Sequence, residues 1–334
     1  MMYLALICGL IGLVVCGDIL VLGAIAAARR LGISSVTIGL TLVAFATSAP
    51  ELVISVDAAL DGATGIALGN VVGSNIANIL LALGLPAIFF PLACSKDALR
   101  TIHQNALMMV GGSIVCILIC FSGVLTFWLG TLMFSGIILF IIYCTQYTNS
   151  MDVLLEDTPK KITAPWMIVI FIIIGLVGLP ISAELTIYGA VNIASTFNIP
   201  DSVIGLTAIA IGTSLPELAA TFTAALRRQT DIVIGNVIGS NIFNLFAVMG
   251  LTAMVHPVPI PEEFLHLDLW VMLVAALLVL PFSMTRGAIN RTMGCLFFAG
   301  YIFYIGWVFQ DRHTYEHELH PDITEVVVPN KAIS

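Results

Sequence analysis

The chain has 334 residues, of which 59% are apolar and only 10% charged, and its mean hydropathy is +1.07. So little charge cannot cover a water-soluble domain, which makes this a membrane protein and excludes soluble enzymes and nucleic-acid binders. The formal net charge of −8 identifies no partner, because placement rather than total charge matters in a membrane protein.

Apolar runs of bilayer-crossing length predict ten spans, over residues 3–27, 36–59, 68–91, 102–120, 124–147, 166–188, 202–225, 234–255, 266–284 and 290–309. The first has no basic leader, is too long for a signal peptide and is interrupted by Asp18, so it reads as a retained span. Residues 1–147 form a first five-helix half and 166–310 a second. The linker 148–165 between them holds Asp152, Glu156, Asp157, Lys160 and Lys161. Residues 311–334 read as a polar tail; its His313, His317 and His320, set among Glu316 and Glu318, fit a solvated segment better than a weak transition-metal site. Six of the seven cysteines (Cys8, Cys16, Cys116, Cys120, Cys144, Cys295) sit in apolar runs and read as small buried hydrophobes, without disulfide or metal-ligand spacing.

Basic residues fall in alternate connections: Arg29/Arg30, Lys96/Arg100, Lys160/Lys161, Arg227/Arg228 and Arg286/Arg291. The connections between them carry no Lys or Arg. By the positive-inside rule the basic connections are cytoplasmic and both termini periplasmic.

Residues 36–84 recur as 202–250 at a constant offset of 166. Gly39-Leu40-Thr41 returns as Gly205-Leu206-Thr207, and Thr47-Ser48-Ala49-Pro50-Glu51 as Thr213-Ser214-Leu215-Pro216-Glu217. Gly69-Asn70-Val71-Val72-Gly73-Ser74-Asn75-Ile76-Ala77-Asn78 returns as Gly235-Asn236-Val237-Ile238-Gly239-Ser240-Asn241-Ile242-Phe243-Asn244. The register extends weakly to Gly12/Gly178, Asp18/Glu184 and Gly23/Gly189. An odd number of helices per half inverts the second copy, which predicts an all-α polytopic fold of ten helices in two inverted-topology repeats.

Glu51 and Glu217 lie mid-span, where a bare carboxylate costs on the order of 3 kcal/mol. A bound cation offsets that cost, as does protonation; the alternative is a pair of protonated acids that only hold helices together. Thr47 and Ser48 precede Glu51 by one helical turn, and Thr213 and Ser214 precede Glu217 likewise. Pro50 and Pro216 predict a kink or unwinding that frees carbonyls near Ala44–Thr47 and Ala210–Thr213. Carboxylate, hydroxyl and carbonyl oxygens together suit a hard cation. Asn70, Ser74 and Asn78 share a helix face, so Asn78 and Asn244 are expected to approach the carboxylates from the next helix, with Ser74 and Ser240 beside them. The motif glycines suit close helix packing, and Asn75 and Asn241 suit helix–helix hydrogen bonds. Asp18 and Glu184 read as structural or access-path groups rather than ligands.

These paired motifs resemble the α-repeats of the cation/Ca2+ exchanger superfamily, in its Na+/Ca2+ exchanger branch, and are similar to prokaryotic inner-membrane members. The first copy has Ala46 where Gly is usual. The resemblance implies a secondary active transporter, not an enzyme, that exchanges Ca2+ for Na+ by alternating access, with a lipid bilayer as its medium and no cofactor. It implies a shared ion site at Glu51 and Glu217, completed by Ala44, Thr47, Ser48, Ala210, Thr213 and Ser214 and lined by Ser74, Asn78, Ser240 and Asn244. Some relatives, including K+-dependent ones, carry Asp where this chain has Asn244, so the resemblance does not extend to K+ co-transport. An H+-coupled antiporter is the alternative within transport. A passive cation channel fits a closed midplane site poorly. An intramembrane acid protease fits the Ser/Thr/Asn shell poorly.

Overall fold

A computed structural model of the chain describes residues 1–147, 164–196, 212–285 and 288–319. The helices are α1 (Met2–Leu31), α2 (Ser35–Leu60), α3 (Thr64–Phe89), α4 (Lys96–Cys120) and α5 (Phe127–Tyr147), then α6 (Pro165–Thr196), α7 (Leu215–Leu226), α8 (Thr230–Val255), α9 (Phe264–Met284) and α10 (Arg291–Leu319). All but α7 are long and apolar enough to cross a membrane. The first part of the expected seventh span, 202–211, lies outside the described residues, as do linker residues 148–163. Helix α10 continues to Leu319, so the segment read as a polar tail begins as helix.

Helix is the natural state of these segments, because a chain in hydrocarbon must satisfy its own backbone. The ends are set by local chemistry. Ser34 accepts the Thr37 N–H at 3.1 Å and Ser95 accepts the Ala98 N–H at 3.3 Å, as N-caps do. Gly32, at φ 67°, turns the chain after α1, whose last turn holds Arg29 and Arg30 against the negative end of the helix dipole.

The repeat helices form the centre. In α3 and α8, 83% and 89% of the most apolar stretch is buried, against 28% in α1 and α6, which places α1 and α6 at the lipid. Helices α1 and α6 run antiparallel and meet through glycines: Gly9 at Thr186, Gly12 at Ser182, Gly178 at Cys16 and Gly189 at Leu6. Gly12 and Gly178 are repeat twins, so the pair has its own pseudo-two-fold relation. In the centre, Gly235 and Gly239 of α8 lie against the backbone of α2 at Val36 and Leu40. Small residues let helices approach closely where no hydrophobic force drives them together.

The connections sort to two ends of the bundle. The α3–α4 connection meets the α9–α10 connection at the Leu92–Ile289 bridge. It also meets the start of α8, where Asp231 accepts from the Ser95 N–H at 3.1 Å and its hydroxyl at 2.8 Å. At the other end the α4–α5 and α8–α9 connections pair as two short antiparallel strands, β1 (Val124–Leu125) and β2 (Val258–Pro259).

The expected disruption at the prolines occurs in one repeat only. Helix α2 runs unbroken through Pro50, with a π turn just upstream at Gly39–Val43. Such local widening lets a membrane helix keep a proline. In the second repeat Gly212 is helical, Thr213–Ser214 form a turn, and α7 starts afresh at Leu215, with the Leu218 N–H on the Ser214 carbonyl at 3.0 Å. Pro216 thus sits in a first turn, where its missing N–H costs nothing.

Candidate cation site

Glu51 on α2 and Glu217 on α7 are both fully buried, at 0% exposure. Thr47, Ser48, Ser74, Asn78, Thr213, Ser214, Ser240 and Asn244 are buried with them. Ala210 lies outside the described residues. The Ala44 carbonyl, expected to be freed by Pro50, instead has the Thr47 hydroxyl within 3.3 Å. It belongs to a helix that does not unwind, so its role as a ligand is the weakest of the set.

The two repeats interlock by reciprocal hydroxyl contacts. Thr47 Oγ1 lies 3.3 Å from Ser240 Oγ, and its twin Thr213 Oγ1 lies 3.5 Å from Ser74 Oγ. Each of these two threonines therefore touches the Gly-Ser-Asn helix of the opposite repeat. The asparagines follow the same rule. A π turn starts at Asn78 and packs on α7; the equivalent turn starts at Asn244 and packs on α2. The sequence expects these residues to approach the carboxylates from a neighbouring helix, and their turns pack on the carboxylate helix of the opposite repeat. Widened turns of this kind are frequent at functional sites.

The hydrogen bonds inside this symmetric frame are unequal. Ser48 donates to Glu217 Oε1 at 3.3 Å, and Asn78 donates to Asn241 Oδ1 at 3.0 Å. Asn241 in turn donates to the Asn75 carbonyl at 3.2 Å, the helix–helix bond expected of it. The twin atoms make no such bonds. Both oxygens of Glu51, Ser214 Oγ and both side-chain polar atoms of Asn244 are buried without a hydrogen-bond partner. Glu217 Oε2 and Asn78 Oδ1 are also unpartnered. Buried polar atoms in proteins are nearly always paired, so a group of orphaned oxygens around two carboxylates marks a place built for something else to bind. The donors are oxygens of carboxylates, hydroxyls and amides, which is the chemistry of a hard cation.

Asp18 stands apart from this group. Both of its oxygens accept from Arg227 at the end of α7, Oδ2 from Nη2 at 2.6 Å, which supports the structural reading over direct ligation. Nothing in the sequence signals the pair, since Arg227 reads as a loop charge. Asn70 and Asn236 are not among the sequence-derived site residues, although each opens the shared face that carries a serine and an asparagine of the site.

The sequence matches the family described as sodium/calcium exchanger protein over residues 1–146 and 167–310. CaxA of Alkalimonas amylolytica is 39% identical over 305 residues, covering 89% of this chain and 95% of that protein. The sodium/calcium exchanger MaX1 of Methanosarcina acetivorans is 31% identical over 342 residues, covering 91% and 97%. The structure of the sodium-calcium exchanger NCX_Mj soaked with Na+ and Ca2+ superposes with a TM-score of 0.79 at 32% identity, covering 91% of this chain and 97% of that one. The likeness spans both repeats and the helices around them, and on this ground the chain belongs to the sodium/calcium exchanger family.

Proposed function

We propose that this protein exchanges Na+ for Ca2+ across a membrane by alternating access, and that the transported ions bind between Glu51 and Glu217. The observation that carries the site is the set of orphaned buried oxygens on Glu51, Glu217, Ser214, Asn78 and Asn244. Thr47, Ser48, Ser74, Thr213 and Ser240 stand around them; the carbonyls of Ala44 and of Ala210, which lies outside the described residues, complete the proposed set. Two carboxylates match one Ca2+ or about two Na+, so the ions compete for the same charge. That competition is the coupling. An empty site leaves two acids with no counter-cation in a low-dielectric interior, where only protonation neutralises them, so a bound cation is what lets the ionised site switch. Exchange of this kind is what the relatives are named for: MaX1 and NCX_Mj are both called sodium/calcium exchangers.

The test is uptake of radiolabelled Ca2+ by proteoliposomes under an imposed Na+ gradient. Flux is expected with Na+ alone and to persist when K+ is replaced by choline, because Asn244 supplies no third carboxylate for K+ to neutralise. A protein silent without K+ refutes the second statement; one driven by a pH gradient and indifferent to Na+ refutes the first.

We further infer a bacterial inner membrane with both termini periplasmic. The connections that meet around Ser95, Asp231, Leu92 and Ile289 are the ones flanked by Lys96, Arg100, Arg227, Arg228, Arg286 and Arg291. The connections joined by β1 and β2 carry no Lys or Arg. This charge bias supports a cytoplasmic basic end. A C-terminal alkaline phosphatase fusion is expected to be active and a cytoplasm-dependent fluorescent fusion dark; the reverse result refutes the orientation.

A further inference from the structure

The first asparagine of each Gly-Asn-x-x-Gly-Ser-Asn motif is absent from the site as read so far. Asn70 is buried on α3 and uses both amide protons on α2. One goes to the backbone carbonyl of Glu51 at 3.1 Å and the other to Ser55 Oγ at 2.8 Å. These acceptors bracket the single turn of α2 that starts at the carboxylate. The twin arrangement is present in the second repeat. Asn236 Nδ2 is 3.4 Å from Thr221 Oγ1, and Thr221 donates to the backbone carbonyl of Glu217. Ser55 and Thr221 are themselves repeat twins. Asn236 Oδ1 also lies 3.4 Å from Thr47 Oγ1, so that amide touches the hydroxyl shell of the opposite repeat.

We propose that Asn70 and Asn236 are positioning residues that hold Glu51 and Glu217 in register with the oxygens on α3 and α8, and so set which divalent cation the site accepts. The inference rests on the reading that the two glutamates hold the transported ion. Asn70, Ser74 and Asn78 lie on consecutive turns of one face, so a bond from Asn70 to the Glu51 turn fixes that carboxylate relative to two other residues of the site. Asn70, Ser55 and Asn236 are buried, and in a low-dielectric interior such bonds are strengthened, so they act as fixed struts. Selectivity between Ca2+ and a smaller cation depends on cavity size and rigidity: Ca2+ takes oxygens at about 2.3–2.6 Å and Mg2+ at about 2.0–2.1 Å. A loosened carboxylate turn loses that discrimination without losing the carboxylate.

The experiment compares wild type, Asn70→Ala, Asn236→Ala and Ser55→Ala in proteoliposomes. Asn105→Ala serves as a control, because Asn105 is equally buried but donates within its own helix, to the Thr101 carbonyl, and accepts from Cys144 Sγ rather than from the carboxylate helices. The readouts are half-saturating Ca2+, maximal rate, and inhibition of Ca2+ flux by Mg2+ and Sr2+. Each Asn variant is expected to raise half-saturating Ca2+ about three- to tenfold, the scale of one or two lost hydrogen bonds, and to shift the order of competing cations. Ser55→Ala should reproduce part of the Asn70 effect, and Asn70→Ala/Ser55→Ala should be no worse than Asn70→Ala alone. A change in protein yield alone, with the cation order intact in folded variants, overturns the proposal. So does an equal shift in Asn105→Ala. If the Asn variants do not fold, an unaltered cation order in Ser55→Ala overturns it. A wild type without Na+-driven flux, or a Glu51→Gln variant that still exchanges, overturns the underlying exchange reading instead.

Discussion

Glu51→Gln and Glu217→Gln are each expected to abolish Na+-driven Ca2+ flux while leaving an inserted, monodisperse protein. The two effects separate because the carboxylates cost the fold and serve the cargo. An isosteric amide is cheaper to bury than a carboxylate, so folding does not suffer. The site, however, loses one of its two charges, and a divalent cation then sits in a buried place with half its counter-charge. Removing one partner of a buried charge pair costs about 3–5 kcal/mol, which corresponds to a loss of affinity on the order of a hundredfold or more. Glu217→Gln also disturbs an existing bond, because Ser48 donates to Glu217 Oε1. Asp18→Asn should be milder, since Asp18 meets Arg227 and both side chains are about one-third exposed, at 34% and 31%. Radiolabelled Ca2+ flux and size-exclusion profiles of the three variants decide it. Near-normal flux in both glutamate variants would make these residues structural and remove the site.

Gly239→Val is expected to fail at folding rather than at transport. A side-chain carbon at Gly239 would stand 2.4 Å from the Leu40 carbonyl oxygen, 2.7 Å from Ala44 Cβ and 2.8 Å from the Leu40 carbonyl carbon. At Gly235 it would stand 2.6 Å from the Val36 carbonyl oxygen. These obstacles are mostly backbone, so no rotamer change relieves them, and α8 must move off α2. Ordinary overpacking costs about 1–3 kcal/mol; displacing a helix that carries Ser240 and Asn244 belongs at or above the top of that range. Thermal unfolding in detergent should show a midpoint lowered by several degrees for Gly239→Val, and no monodisperse species for Gly235→Val/Gly239→Val. An unshifted midpoint would mean that the two helices are not in contact there.

Much of this architecture was legible in the sequence because its causes are local. Hydropathy alone locates the spans, and α2, for example, covers Ser35–Leu60 where 36–59 was expected. The constant repeat offset locates both glutamates and the hydroxyls around them. What the sequence did not show depends on how the halves meet. No single segment reveals that Thr47 faces Ser240, or that the π turn at Asn78 packs on α7 rather than on α2. Pro50 and Pro216 have nearly the same neighbours in sequence, differing next to the proline only in Ala49 against Leu215, yet one lies inside a continuous helix and the other opens a new one. Propensity sees the missing N–H; it does not see the surrounding helices that decide whether the chain yields. The Asp18–Arg227 pair was hidden for the same reason, since it joins residues 209 apart.

The unequal bonding of the twin residues describes a second shape of the molecule as well as the first. Exchanging each residue for its twin turns the bond from Ser48 to Glu217 into one from Ser214 to Glu51, and the bond from Asn78 to Asn241 into one from Asn244 to Asn75. Every atom needed for those mirror bonds is already present and now unpaired: Ser214 Oγ, Glu51 Oε1, Asn244 Nδ2 and Asn75 Oδ1. Both mirror bonds thus have their atoms in place. Chemically different twins break the symmetry between the two arrangements. Arg227, which holds Asp18, has Asp61 as its twin, facing the role with the wrong sign. The two arrangements are therefore not equivalent. Arg227→Asp would remove the ion pair that only one of them can make.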